Sequence, residues 1–218
     1  VAATGTSAAN GPITFSELSF TAPGTYTYTV SDGNATITKC SAAISGDVAI
    51  PVMLDGYPVT AIGEKAFYSC HNLTAVTIPQ NVTTIGYAAF SDCTNLKTVT
   101  ILNGVTKIEG SAFSWCVNLK SVIIPASVTS IGQSAFTYCK GLTSITIPDN
   151  VTRIGQYAFS ECTGLTSIEI PDGVTSIDYG TFRNCSSLVS IKIPDSVTSI
   201  GHSAFDGCSS LTSITIPD

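Results

Sequence analysis

Ile131-Gly132-Gln133-Ser134-Ala135-Phe136-Thr137-Tyr138-Cys139-Lys140-Gly141-Leu142-Thr143-Ser144-Ile145-Thr146-Ile147-Pro148-Asp149-Asn150-Val151-Thr152-Arg153 is one complete unit of a repeated text, and Ile154 begins the next. A shift of 23 residues returns the same landmarks. Phe67, Phe90, Phe113, Phe136, Phe159, Phe182 and Phe205 form one row. Cys70, Cys93, Cys116, Cys139, Cys162, Cys185 and Cys208 form a second, and Leu73, Leu96, Leu119, Leu142, Leu165, Leu188 and Leu211 a third. The interval never slips, so seven units follow one another without insertion from Ile62 to Asp218. A fixed period in the twenties is the signature of a solenoid, in which each unit buries its apolar face only against its neighbours.

Each unit divides into three parts. Leu142-Thr-Ser-Ile145-Thr-Ile147 ends in an alternating, β-branched run and predicts a short strand. Pro148-Asp149-Asn150 is turn chemistry, and Val151-Thr-Arg-Ile154 predicts a second extended piece. In Gln156-Tyr157-Ala158-Phe159-Ser160-Glu161-Cys162 the apolar residues lie three and four apart, which predicts one or two turns of helix or 3-10 helix. Strands of neighbouring coils are expected to pair in parallel at about 4.8 Å. The expected fold class is an α/β repeat solenoid with an N-terminal β-hairpin cap.

Composition narrows the function classes. Hydrophobic residues make up 44% of the chain and charged residues only 11%, so the surface must rely on Ser and Thr. The net charge is −6 and the basic residues are scattered singly, which disfavours a nucleic-acid partner, since a phosphate backbone needs clustered Lys and Arg. No apolar run approaches the roughly 18 to 20 residues of a membrane-spanning helix. Eight cysteines would ordinarily suggest disulfides, but seven stand at one equivalent position. They point the same way in consecutive coils, so buried free thiols packing as small hydrophobes are expected rather than disulfides or a metal site. Cys40 lies outside this row, as a free thiol of the cap.

Residues 1–12 are small and polar and read as a flexible lead. Residues 13–47 read as an N-terminal β cap, because alternating runs flank Pro23-Gly24 and Asp32-Gly33, and Asp-Gly between alternating runs signals a hairpin. Residues 48–218 hold one imperfect and seven regular repeats, the imperfect one carrying a five-residue insertion around Asp55-Gly56. The sequence stops at Ile216-Pro217-Asp218, after a strand and without a capping pattern. A bare edge of that kind invites pairing, so a longer parent protein or self-association through the last repeat is expected.

The pattern Cys-x-x-Leu-x-x-Ile-x-Ile-Pro-x-x-Val-x-x-Ile-Gly-x-x-Ala-Phe-x-x-Cys resembles the BspA-like class of leucine-rich repeats over residues 59–218. The resemblance implies a curved right-handed leucine-rich-repeat superhelix in a secreted or surface-attached bacterial protein that serves adhesion or host interaction. Departures are few: Glu109 and Asp178 replace the Gly, Thr181 the Ala and Leu102 the Pro. The stretch from Phe15 to Val30 also resembles the closing strands of Gram-positive pilin-type domains, which again implies a cell-surface parent.

The strand positions facing away from the core form two rows, and these supply the candidate ligand-binding residues: Thr77, Thr100, Ser121, Ile123, Ser144, Thr146, Ser167, Glu169, Ser190 and Lys192. Glu169 and Lys192 should be lateral neighbours able to pair across strands. Trp115 and Tyr138 share a repeat position and form a secondary aromatic patch, for which partial burial between coils is the plainer expectation. Asp149, Asp172, Asp195 and Asp218 make a carboxylate ladder; Asp after Pro suits the turn, and a shared hard cation is the rival reading. His71 and His202 are 131 residues apart, too many coils for one catalytic pocket. No enzyme activity, cofactor or metal is therefore expected. The leading expectation is an extracellular or cell-surface module that recognises a host protein or glycan. A structural spacer displaying other domains is the alternative, and ice or mineral binding is disfavoured by irregular residues such as Ile123 and Glu169.

Overall fold

The computed structural model describes residues 25–216. The expected lead over 1–12, the first part of the expected cap and Asp218 of the carboxylate ladder lie outside the described residues.

Apolar alternation produces two parallel ladders. In the first sheet Gly46–Ala49, Leu73–Ile78, Thr98–Ile101 and Ser121–Ile123 pair side by side, with Val48, Val76, Val99 and Val122 in one row. The ladder resumes through a bridge from Ser144 to Ser167 and the pair Ser167–Glu169 with Ser190–Lys192. The second sheet stacks Tyr57–Ile62, Thr84–Ile85, Lys107–Ile108, Ser130–Ile131 and Arg153–Ile154, so Ile62, Ile85, Ile108, Ile131 and Ile154 stand in register. Each coil thus contributes one strand to each sheet, and the inward Ile, Val and Leu side chains fill the space between them.

The third side of each coil differs from the expectation of short helices: no helix occurs among the described residues. The Ala-Phe-x-x-Cys segments form a ribbon of turns. Within a unit Ala112, Ser114 and Cys116 donate N–H to residues three back, whereas Ser111, Phe113 and Trp115 donate to Gln133, Ala135 and Thr137 of the next coil. This alternation requires left-handed backbone at two positions per unit, seen at Ser111 (φ 55°) and Trp115 (φ 62°) and at their equivalents. A helix would close all its hydrogen bonds internally and leave nothing for the next coil. The apolar spacing of three and four was real; it marks residues pointing inward from successive turns.

Inside the ribbon the Phe row forms a continuous stack, with ring centroids 4.7–5.7 Å apart from Phe67 to Phe205. Phe67 through Phe182 are fully buried, each ring bringing about 2–3 kcal/mol of apolar burial. The Cys row lies beside it. Cys93, Cys116, Cys139, Cys162, Cys185 and Cys208 each donate S–H to the carbonyl of the Phe 26 residues earlier, at 3.1–3.2 Å. The thiols therefore act as small hydrophobes and also satisfy a buried carbonyl, which explains Cys rather than Ala at this place.

The N-terminal side of the second sheet is covered by a hairpin of β1 (Tyr26–Ser31) and β2 (Asn34–Cys40), turned at Asp32-Gly33 with both residues at positive φ. β2 pairs in parallel with Tyr57–Ile62, and Tyr26 lies edge-on to Phe67, covering the end of the ring stack. The insertion around Asp55-Gly56 folds as a miniature hairpin, Met53–Leu54 against Tyr57 and Pro58. On the last described coil Ile200, Ile214 and Ile216 are exposed.

Gly after Ile allows the coils to approach: a Cβ on Gly155 would stand 2.6 Å from the backbone nitrogen of Gln133. Gly155→Ala should therefore lower stability by about 1–3 kcal/mol, seen as a reduced denaturant midpoint. Burial, the first cause, raises Cys139 well above the ordinary thiol range and pushes Cys162 up to about 12. In the unfolded chain these thiols ionise near pH 8.5–9. The folded state binds more protons above that point, so stability is intact below about pH 8.5 and falls as pH rises toward 12, by about 1.4 kcal/mol per pH unit per thiol. Denaturant titrations of wild type and Cys162→Ala at several alkaline pH values should show a shallower slope in the variant.

Candidate functional site

Parallel in-register pairing places equivalent outward residues of successive coils beside one another. Ala75, Thr98 and Ser121 adjoin in one row and Thr77, Thr100 and Ile123 in the next. Further along, Ser144 adjoins Ser167, and Ser167 and Glu169 adjoin Ser190 and Lys192. Thr77 and Thr100 are half-buried, while Ser121, Ile123, Ser144, Thr146, Ser167, Glu169, Ser190 and Lys192 are exposed. All ten candidates thus share one side of the molecule. Ile123 stands out as a large apolar side chain 56% exposed among hydroxyls. Glu169 accepts a hydrogen bond from Lys192 Nζ, and this contact raises the Lys192 ammonium above the ordinary lysine range. The pair is fully exposed, so its worth is in orientation more than stability.

Trp115 and Tyr138 stand in adjacent coils and meet face to face. Their rings stack at 3.9 Å with 14° between planes, Trp115 is exposed and Tyr138 half-buried, with Lys140 Nζ 5.7 Å from the Tyr138 ring centre. Both occupy the left-handed turn position, where Asn184 and Gly207 stand in later coils, and a bulky side chain there costs roughly 1–2 kcal/mol. A second aromatic group on the same ribbon brings Tyr157 edge-on to Tyr179 at 5.1 Å, with His202 stacked on Tyr179.

Asp149, Asp172 and Asp195 are exposed at the turns, and among the described residues no three His, Cys, Asp or Glu side chains gather closely enough to hold a metal ion. His71 sits with Nε2 3.8 Å from Asp92 Oδ2, and His202 lies against Tyr179, so the two histidines serve separate neighbourhoods.

One feature was missed from the sequence. Where the second sheet meets the turn ribbon, an open groove of about 570 Å³ is lined by Tyr87, Lys107, Glu109, Gly110, Ser130, Gln133, Arg153 and Gln156 among others. Gly110 supplies the notch: a Cβ there would stand 3.4 Å from the Tyr87 ring. Lys107, Ser130 and Arg153 stand in register across three strands, placing two cations either side of a hydroxyl. The 23-residue spacing of these three is the signal the sequence carries for it.

A family model, the BspA type leucine rich repeat region, matches this chain over residues 60–188 and 131–218, in six copies. No curated protein matches it. Among solved structures, the leucine rich repeat protein TpLRR of T. pallidum is 34% identical, with a TM-score of 0.82 over 88% of this chain and 90% of that one. A leucine rich cell surface protein of Faecalibacterium prausnitzii is 30% identical over 97% of this chain and 84% of that one, with a TM-score of 0.47. A leucine-rich repeat protein of Eubacterium ventriosum is 23% identical over 89% of this chain and 53% of that one, with a TM-score of 0.54. None of these names an enzyme family. No helix among the described residues is long and apolar enough to cross a membrane. The match spans the Cys, Leu, Ile-Pro, Val, Ile-Gly and Ala-Phe rows that build the two ladders and the turn ribbon: this chain belongs to the BspA-type leucine-rich repeat proteins.

Proposed function

We propose that this chain is a non-catalytic recognition module displayed at the bacterial surface or secreted, binding a host protein or glycan through the strand face from Thr77 to Lys192. The observation that carries this reading is the exposed row set in strict register, Ser and Thr hydroxyls surrounding the apolar Ile123 and flanked by the Glu169–Lys192 pair. Hydroxyls on a rigid sheet lose little entropy on binding, and a lone exposed Ile among them is the kind of anchor on which affinity concentrates. Stacked aromatics at Trp115 and Tyr138 offer a second contact area on the ribbon, suited to sugar faces. The spacer alternative draws on the same face: Glu169 and Lys192 neutralise one another and leave a uniform Ser/Thr surface.

The test is a binding screen against matrix proteins, plasma proteins and a glycan array. Each ligand found is measured again with Ile123→Ala/Glu169→Ala/Lys192→Ala, for which a loss of affinity of about tenfold or more is expected. Unchanged affinity in that variant, with loss in Lys107→Ala/Arg153→Ala, would move the site to the groove. A screen without ligands would favour the spacer.

A further inference from the structure

Six thiols of the row have a shared partner, the Phe carbonyl of an earlier coil. Cys70 heads the row and departs from this arrangement. Its sulfur meets that of Cys40, the last residue of β2, at 2.6 Å. Cys40 is held there by its backbone, since its N–H donates to the Ala66 carbonyl at 2.8 Å. Phe67 makes the same bond to Ala89 one coil later, so Cys40 takes the place of a Phe at the N-terminal end of the ribbon. The cap and the first regular coil thus bring two thiols together at the one level where the Phe–Cys pattern gives way.

We infer that Cys40 and Cys70 form a disulfide that ties the hairpin cap to the first coil, leaving the other six cysteines as thiols. Their separation is within easy reach of the about 2.05 Å of a covalent S–S bond. The roles of the two sulfurs differ. Cys70 is half-buried and therefore open to an oxidant, while Cys40 is buried. The two sulfurs share one S–H···S contact in which either can donate. Cys70, the sulfur an oxidant reaches, is accordingly the one that attacks, as its thiolate.

The oxidant is a disulfide, of the glutathione type or in a thiol–disulfide oxidoreductase. Cys70 Sγ attacks one of its sulfurs, forming a mixed disulfide and expelling a thiolate. Cys40 then gives its proton to that thiolate and attacks Cys70 Sγ, forming the Cys40–Cys70 bond and expelling the second thiol. Two electrons and two protons leave the protein, and the oxidant departs as two thiols. The other six are excluded by position: Cys93, Cys116, Cys139, Cys162 and Cys185 are fully buried and Cys208 is buried, and each already donates to a carbonyl.

The bond would close a stretch of 30 residues between β2 and the start of the regular array. A solenoid frays from its ends, where a coil has a neighbour on one side only. A covalent link at the cap stabilises the array against that opening, and its reduction would release the hairpin.

The experiment incubates the folded chain with oxidised glutathione, quenches in acid, alkylates in denaturant and maps the peptides without reduction. Six alkylated cysteines of eight and one peptide pair joining Cys40 to Cys70 are expected, with two hydrogens lost from the intact mass. The apparent Tm should rise by roughly 5 °C or more relative to the reduced chain. Cys40→Ala should instead leave Cys70 as a stable glutathione adduct without the rise in Tm. Cys70→Ala, lacking the accessible attacker, should acquire neither link nor adduct. Eight alkylated cysteines after prolonged oxidation, or a link involving any other cysteine, would overturn the assignment. A Cys40–Cys70 bond without a change in Tm would overturn its role as a lock.

Discussion

Every coil of this protein depends on the requirement that buried backbone donors and acceptors find partners in the coil above or below. Lys97 N–H reaches the Thr74 carbonyl, Gly132 N–H the Ile108 carbonyl and Phe113 N–H the Ala135 carbonyl, so two sheets and a turn ribbon are stitched along one axis. The first two of these bonds run to the preceding coil and the third to the following one. A unit longer or shorter by one residue would break all three seams together. The Phe stack and the Cys-to-carbonyl bonds follow from this register, because equivalent side chains can only fall on top of one another when the backbone repeats without slippage.

That constraint binds the inward residues and leaves the outward ones free, and the division bears directly on function. At the core, Phe, Leu, Ile and Cys recur with hardly a change. At the strand face the same repeat position carries Thr100, Ile123, Thr146, Glu169 and Lys192 in turn. A rigid scaffold that holds variable side chains at fixed spacing is well suited to recognition, since its binding groups need no ordering on contact. The same rigidity keeps His71 beside Asp92 and His202 beside Tyr179, in separate neighbourhoods. The ends are the vulnerable places of such an array. The hairpin meets that need at one end by adding β2 to the second sheet and setting Tyr26 over the ring stack.

The repeat length, the two strand segments, the Asp32-Gly33 hairpin and the burial of the Cys row were legible in the sequence, and so was the lateral pairing of Glu169 with Lys192. These rest on strict spacing and on local chemistry, both of which a linear text carries. The helical reading of Ala-Phe-x-x-Cys went astray because an inward spacing of three and four is common to a helix and to a ribbon of turns. The choice between them falls to hydrogen bonds with the next coil. The groove beside Gly110 arises at a corner between two faces, and neither face reveals it alone.

The sequence by itself determined the period, the inward and outward assignment of nearly every strand residue and the family, because a repeat that cannot bury its apolar face alone has to stack. The tertiary structure decided what the third side of each coil is, where the aromatic side chains point, and which thiol meets which. Those outcomes depend on contacts between residues 22 to 30 positions apart, such as Phe113 with Ala135, Cys139 with Phe113 and Cys40 with Cys70. Their geometry is set by how one coil seats on another, and no local stretch of the chain contains it.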